Sequence, residues 1–128
     1  MFDFFKKIPI YVKIYNDKIE VTNLADGNTV SLHATTKFSS SRIVIADFNS
    51  IEILIRRAFH DLGLTRKYFP PRLKALMQIM EKVEGGLTEL ERRGLRDLGE
   101  QAGAIEVYIL EHNRKLSIEE ALVSFVTR

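Results

Sequence analysis

Histidines and carboxylates are the side chains here whose types could move a proton or hold a metal. His33, His60 and His112 are scattered along the chain. None falls in the H-x₃-H or H-E-x-x-H arrangement that sets two imidazoles on one helix face around zinc, so no metal site is expected. His60 sits beside the apolar face of its helix and His112 at a strand end, both ordinary solvated positions. There is no cysteine, which excludes disulfides, thiolate metal sites and cysteine nucleophiles. No serine lies in G-x-S-x-G, and no segment resembles a Walker loop. Glu89, Glu91 and Glu100 are accounted for by helix capping and ion pairing. The inventory predicts no enzyme and no cofactor.

Two features point to binding instead. The first is the basic cluster Arg56, Arg57, Arg66, Lys67, Arg72 and Lys74, with Tyr68 and Phe69 interleaved. Basic and aromatic residues together can grip phosphates and bases, which makes a nucleic-acid-binding module the alternative reading. Cations at the end of a helix also serve its dipole. A nearly balanced whole-chain charge, with 19 basic and 17 acidic residues, argues against nucleic acid as the main partner. The second feature is Phe2, Phe4, Phe5, Lys6 and Lys7, a short apolar and basic segment. It suits at most a peripheral membrane contact, because interfacial binding scales with buried apolar area.

The elements that must position these residues form one domain over residues 1–128. Hydrophobic residues make up 45% and charged residues 28%, a globular balance. No secretory signal opens the chain and no apolar run approaches a membrane span, so a cytoplasmic protein is expected. Ile10, Val12 and Ile14 alternate with Tyr11, Lys13 and Tyr15, the period of a strand. Asn16-Asp17 turns the chain into a return strand from Ile19, and Thr29 to His33 follows as a third. Residues 34–41 read as a loop, and Arg42 to Phe48 as a possible further strand.

Asn49 with Glu52 is then the capping box of a helix whose inner face is Ile51, Leu54, Ile55, Ala58, Phe59 and Leu62, closed by Gly63. Leu73 to Met80 is a buried strand. Thr88 and Glu91 cap a second helix, with Leu87, Leu90, Leu95, Leu98 and Ala102 inward and the pairs Glu89–Arg93 and Arg96–Glu100 outward. Ile105, Val107 and Ile109 alternate on one face of a last strand. Ser117 and Glu120 cap a final helix. The order predicts an α/β domain: a mixed sheet built from an N-terminal hairpin followed by αβαβα, with helices flanking it.

Particular residues within that order resemble the bacterial actin-like rod-shape-determining proteins, the MreB family. Thr88-Glu89-Leu90-Glu91-Arg92-Arg93 matches the family's T-x-x-E-R-R segment, and Ala102-Gly103-Ala104-Ile105-Glu106-Val107 its A-G-A-x-x-V. Val44-Ile45-Ala46-Asp47-Phe48 looks like the V-I-A-D-F stretch before its first long helix. The resemblance implies a truncated, single-lobe actin-like (ribonuclease H-like) domain covering the family's first subdomain.

Departures from the family pattern decide what the resemblance implies for chemistry. The D-x-G-T phosphate loop falls on Lys13, Ile14, Tyr15 and Asn16, where a lysine replaces the metal-associated aspartate and a tyrosine fills the glycine position. The acidic pair tied to ATP hydrolysis reads Glu111-His112-Asn113, with His112 at the hydrolytic position. The sequence ends at Arg128, short of the second phosphate loop and the second lobe. The resemblance therefore implies a lobe without ATP binding that acts as a protein-interaction or regulatory module linked to the cell-shape cytoskeleton. Its expected partner is a full-length actin-like filament protein or a second copy of itself.

Overall fold

The structure is a computed structural model that describes residues 6–34, 48–65, 68, 70–81 and 85–126. Among them are the strands β1 (Ile8–Ile14), β2 (Lys18–Asn23), β3 (Thr29–His33), β4 (Leu73–Ile79) and β5 (Ala104–Ile109). The helices are α1 (Phe48–Asp61), α2 (Glu89–Ala102) and α3 (Ile118–Val126). One sheet runs in the order β3-β2-β1-β4-β5. β1, β2 and β3 form an antiparallel meander, while β4 and β5 add in parallel to β1. The mixed sheet with flanking helices is the architecture the residue pattern predicts. The possible strand at 42–48 falls largely outside the described residues.

Period-two alternation divides the sheet into two faces. Ile10, Val12, Ile14, Ile19, Val21, Ala75, Met77 and Ile79 turn to one side, where α1 lies over β2 and β3, and α2 over β4 and β5. Tyr11, Leu76 and Tyr108 turn to the other side, where α3 covers the sheet with Ala121 and Phe125. β4 has helices on both faces, which explains its unbroken apolar run. Each fully buried aliphatic side chain of this core contributes about 1.5–3 kcal/mol by leaving water.

The expected caps hold at α2 and α3. Thr88 Oγ1 accepts the Glu91 amide at 3.1 Å, and the Glu91 carboxylate accepts the Thr88 amide at 2.8 Å. Ser117 and Glu120 exchange the same bonds at 3.1 and 2.9 Å. Three expectations need correction. α1 already includes Phe48, so Asn49 is a first-turn residue rather than the cap, and Glu52 instead accepts from Arg56 at 2.9 Å. Leu90 is 62% exposed, because the inward arc of α2 runs through Glu91, Leu95, Leu98 and Ala102. Ile105 is 50% exposed, since a bulge between Ala104 and Glu106 lets it drop out of the alternation.

Candidate functional site

Open α/β sheets present ligands at the carboxyl ends of their parallel strands. Here those ends are Ile14, Ile79 and Ile109, followed by the β1–β2 turn, the segment after β4 and the crossing from β5 to α3. The turn is tight: the Tyr15 amide donates to the Lys18 carbonyl at 2.8 Å. Its outward donor is the Asn16 amide, and Glu81 takes it. A Glu81 carboxylate oxygen accepts from the Asn16 backbone N–H at 2.6 Å, and the other from Asn16 Nδ2 at 3.3 Å. Asn16 Oδ1 is buried with no donor against it among the described residues. The turn's outward amide is thus capped by the protein's own carboxylate.

Of the four residues that the resemblance lays over a phosphate loop, only Tyr15 and Asn16 belong to the turn. Lys13 and Ile14 are strand residues of β1. Lys13 is only 4% exposed, on the α3 side of the sheet, with Nζ 3.3 Å from Glu20 and 4.5 Å from the centre of the Tyr11 ring. Burial pushes its ammonium below the ordinary lysine value, against the opposing pull of Glu20. Partial burial raises the Glu20 carboxyl, but the hydrogen bond from Lys13 and the positive charges of Lys13, Lys115 and Lys18 together outweigh it and hold Glu20 below its usual range. Tyr15 carries the Lys18 ammonium 4.4 Å above its ring, and burial raises its phenol. A cation paired this way has no reach into the turn.

Across the crevice a buried amide fixes the β5–α3 crossing. Gln78 is fully buried on β4 and donates from Nε2 to the carbonyls of His112 and Arg114, both at 2.9 Å. Its Oε1 accepts from the Tyr11 hydroxyl, which in turn accepts the Leu116 amide at 3.1 Å. Burial raises the Tyr11 phenol, keeping it a donor. The Arg114 amide donates to His112 Nδ1 at 3.1 Å. A backbone amide only donates, so His112 Nδ1 is an acceptor here and its lone pair is taken up by the Arg114 amide. Glu111 is turned away to α2, where the Arg92 guanidinium grips it through Nε at 2.9 and 3.1 Å and Nη2 at 3.0 Å.

The described members of the basic cluster do not share a face. Arg56 is bound to Glu52 and to the Gln101 carbonyl of α2, and Arg57 is exposed on α1. Lys74 lies on the opposite side of the sheet, its Nζ 4.8 Å from the Phe125 ring centre. Arg72 is half-buried before β4, and its carbonyl accepts the Ile8 amide at 2.7 Å. Arg66 and Lys67 fall outside the described residues, as do Phe2, Phe4 and Phe5. Lys6 is exposed, and Lys7 pairs with Glu106 at 2.7 Å, which holds that carboxyl below its ordinary value. His33 ends the edge strand in the open, and His60 Nδ1 lies 3.2 Å from Thr65 Oγ1. Among the described residues no group of three or more His, Asp or Glu could hold a metal. No described helix is long and apolar enough to cross a membrane.

Sequence reasoning missed Glu81, Gln78 and the outer side of α3. Gln78 did leave a signal, as a lone amide inside the apolar run Leu73–Ile79 that burial obliges to find partners. Ala121 and Phe125 of α3 point inward, while Ile118 and Leu122 are exposed, Val126 is 83% exposed, and Glu119 and Glu120 face solvent. A groove of about 400 Å³ runs beside it, lined by Leu110, His112, Arg114, Glu119, Glu120 and Val123 among others.

No family model matches the sequence, and no curated protein matches it. Among solved structures, MreB5 of Spiroplasma citri, bound to ADP, superposes with a TM-score of 0.55 at 15% identity. The match covers 83% of this chain and 38% of that one. The chain therefore has an actin-like single-lobe α/β fold, and it spans well under half the length of its structural neighbour.

Proposed function

We propose that this chain is a non-catalytic actin-like lobe that acts by binding another protein, either a full-length actin-like filament protein or a second copy of itself. The observation that carries the reading is the Asn16–Glu81 clasp. The structural neighbour is bound to ADP, whereas here a carboxylate holds the turn amide at 2.6 Å and would repel a phosphate placed there. The Nδ1 lone pair of His112 is taken up by the Arg114 amide, and Glu111 is engaged by Arg92. What remains to be used is surface. Ile118, Leu122, Val123 and Val126 leave α3 with exposed apolar side chains beside the carboxylates of Glu119 and Glu120. An exposed apolar patch with a polar rim suits a protein contact.

Co-sedimentation with polymerised, purified rod-shape actin-like protein tests the reading. The wild type is expected to pellet with filaments and Leu122→Asp to stay in the supernatant. Wild type and variant remaining together in the supernatant, with both monomeric in solution, would contradict it.

A further inference from the structure

The sheet has two edges of different character. β5 is interrupted by its bulge, and Glu106 on it is engaged by Lys7 and Tyr108. β3 is regular through all five residues, contains no proline, and carries His33 as its one titratable side chain. Natural sheets blunt their edges with charge, proline or bulges, and an edge without them is a template for another strand.

The register fixes which backbone groups that edge offers. The Asn23 amide donates to Asn28 and the Ala34 amide to Asp17. Narrow and wide pairs alternate along an antiparallel ladder, so Val30 and Leu32 spend their amides and carbonyls on β2. The amides and carbonyls of Thr29, Ser31 and His33 point outward, with no strand beside them among the described residues.

Resting on the interaction reading above, we propose that β3 is a homodimer interface, in which two copies pair their edges antiparallel about a two-fold axis at Ser31. Ser31 then faces Ser31 of the second copy, and Thr29 faces His33, each as a doubly hydrogen-bonded pair. The side chains obey the same symmetry. Val30 meets Leu32 of the second copy on the helix side, where both are half-buried against the core. Thr29, Ser31 and His33 meet on the polar side. A one-residue slip would set inward-bonded groups against outward ones and is excluded, and of the registers that remain the axis at Ser31 is the one that pairs all three outward residues.

The helix layer completes the contact. α1 lies over β2 and β3, and strands are about 4.8 Å apart, so the two α1 axes come to about 10 Å, the spacing of packed helices. Arg56 marks the α2 side of α1 through its bond to Gln101. At roughly 100° per residue, the opposite side carries Arg57 and Asp61, both exposed, one turn apart and of unlike charge. A two-fold axis reverses the second helix and sets each cation toward an anion.

Sedimentation equilibrium of the full chain, with wild type, Ser31→Pro, Arg57→Glu and the swap Arg57→Glu/Asp61→Arg, tests this. The wild type should form a reversible dimer with a dissociation constant on the order of 10–100 μM, as suits a small interface. Ser31→Pro removes the outward amide and one exposed 3.3 Å bond from the Ser31 hydroxyl to Glu20. It should therefore be monomeric with an unchanged far-ultraviolet spectrum and a melting temperature lowered by no more than a few degrees. Arg57→Glu should weaken the dimer at least tenfold, and the swap should restore it. Amide exchange at Thr29, Ser31 and His33 should slow with protein concentration in the wild type. A wild type that stays monomeric at several hundred micromolar overturns the proposal, as does a Ser31→Pro variant that dimerises normally. A monomer that still pellets with filaments through α3 would refute the β3 dimer alone and leave the binding reading standing.

Discussion

Glu81 joins two segments that lie 65 residues apart in sequence, and that separation is why it was not legible: a carboxylate after a strand has no pattern until the turn arrives beside it. Glu81→Ala strands a part-buried amide, with an expected loss of about 1–3 kcal/mol. Urea unfolding would read the loss as a lower midpoint, accompanied by faster exchange at the Asn16 amide. Gln78 was readable in kind, as a polar residue in an apolar strand, but its partners were not. Gln78→Leu leaves the Tyr11 hydroxyl and two carbonyls without their bonds, and should cost at least about 2 kcal/mol. The titrating pairs set a pH dependence. Glu20, Glu106 (through Lys7) and Glu120 (through the Ser117 amide) have lowered values, so the folded chain binds fewer protons than the unfolded one in acid. Their stabilisation is present above the ordinary glutamate value of about 4.3 and lost as pH falls through the lowered values. Urea midpoints should hold steady from pH 7 to about pH 5 and drop below it, with a shallower drop in Glu106→Gln.

At the level of elements, local chemistry carried most of the reading. Capping boxes located the starts of α2 and α3, since Thr88–Glu91 and Ser117–Glu120 satisfy the first-turn amides by themselves. Asn49 misled for the opposite reason, because a good capping residue is not a cap once the helix begins before it. Leu90 was placed inward as an apolar helix residue, and Ile105 by an alternation with Val107 and Ile109 that the bulge breaks. The arc of α2 and the bulge of β5 are set by how helix and strand meet. That meeting is close: a Cβ on Gly99 would lie 2.7 Å from Val107 Cγ2 and 3.5 Å from Met77 Sδ. Gly99→Ala therefore sets about 1 kcal/mol of helix propensity against an overpacking cost of about 1–3 kcal/mol. Val107 is β-branched and anchored in the strand, so the clash should win, and differential scanning calorimetry should show a melting point several degrees lower. Leu90→Ala should move it by less than a degree or two, as befits an exposed site.

For the whole molecule, periodicity gave strands, helices and a mixed sheet, but the order β3-β2-β1-β4-β5 depends on pairings between segments distant in sequence that no local pattern carries. A linear cluster of cations proved a poor guide to surface for a related reason. Lys74 and Arg56 are close in sequence, yet the sheet passes between the layers they join. The fold agrees with an actin-like lobe, while function depends on the site grafted onto it. Here the β1–β2 turn is held by the Glu81 carboxylate and the β5–α3 crossing by the Gln78 amide. The most direct test is a titration of nitrogen-15-labelled protein with ATP and Mg²⁺, followed at the Asn16 amide. The expected result is no saturable shift up to about 1 mM, where any association would be weaker than roughly 4 kcal/mol. A saturable shift at Asn16 with a micromolar midpoint would contradict the reading of this chain as a lobe that works without nucleotide.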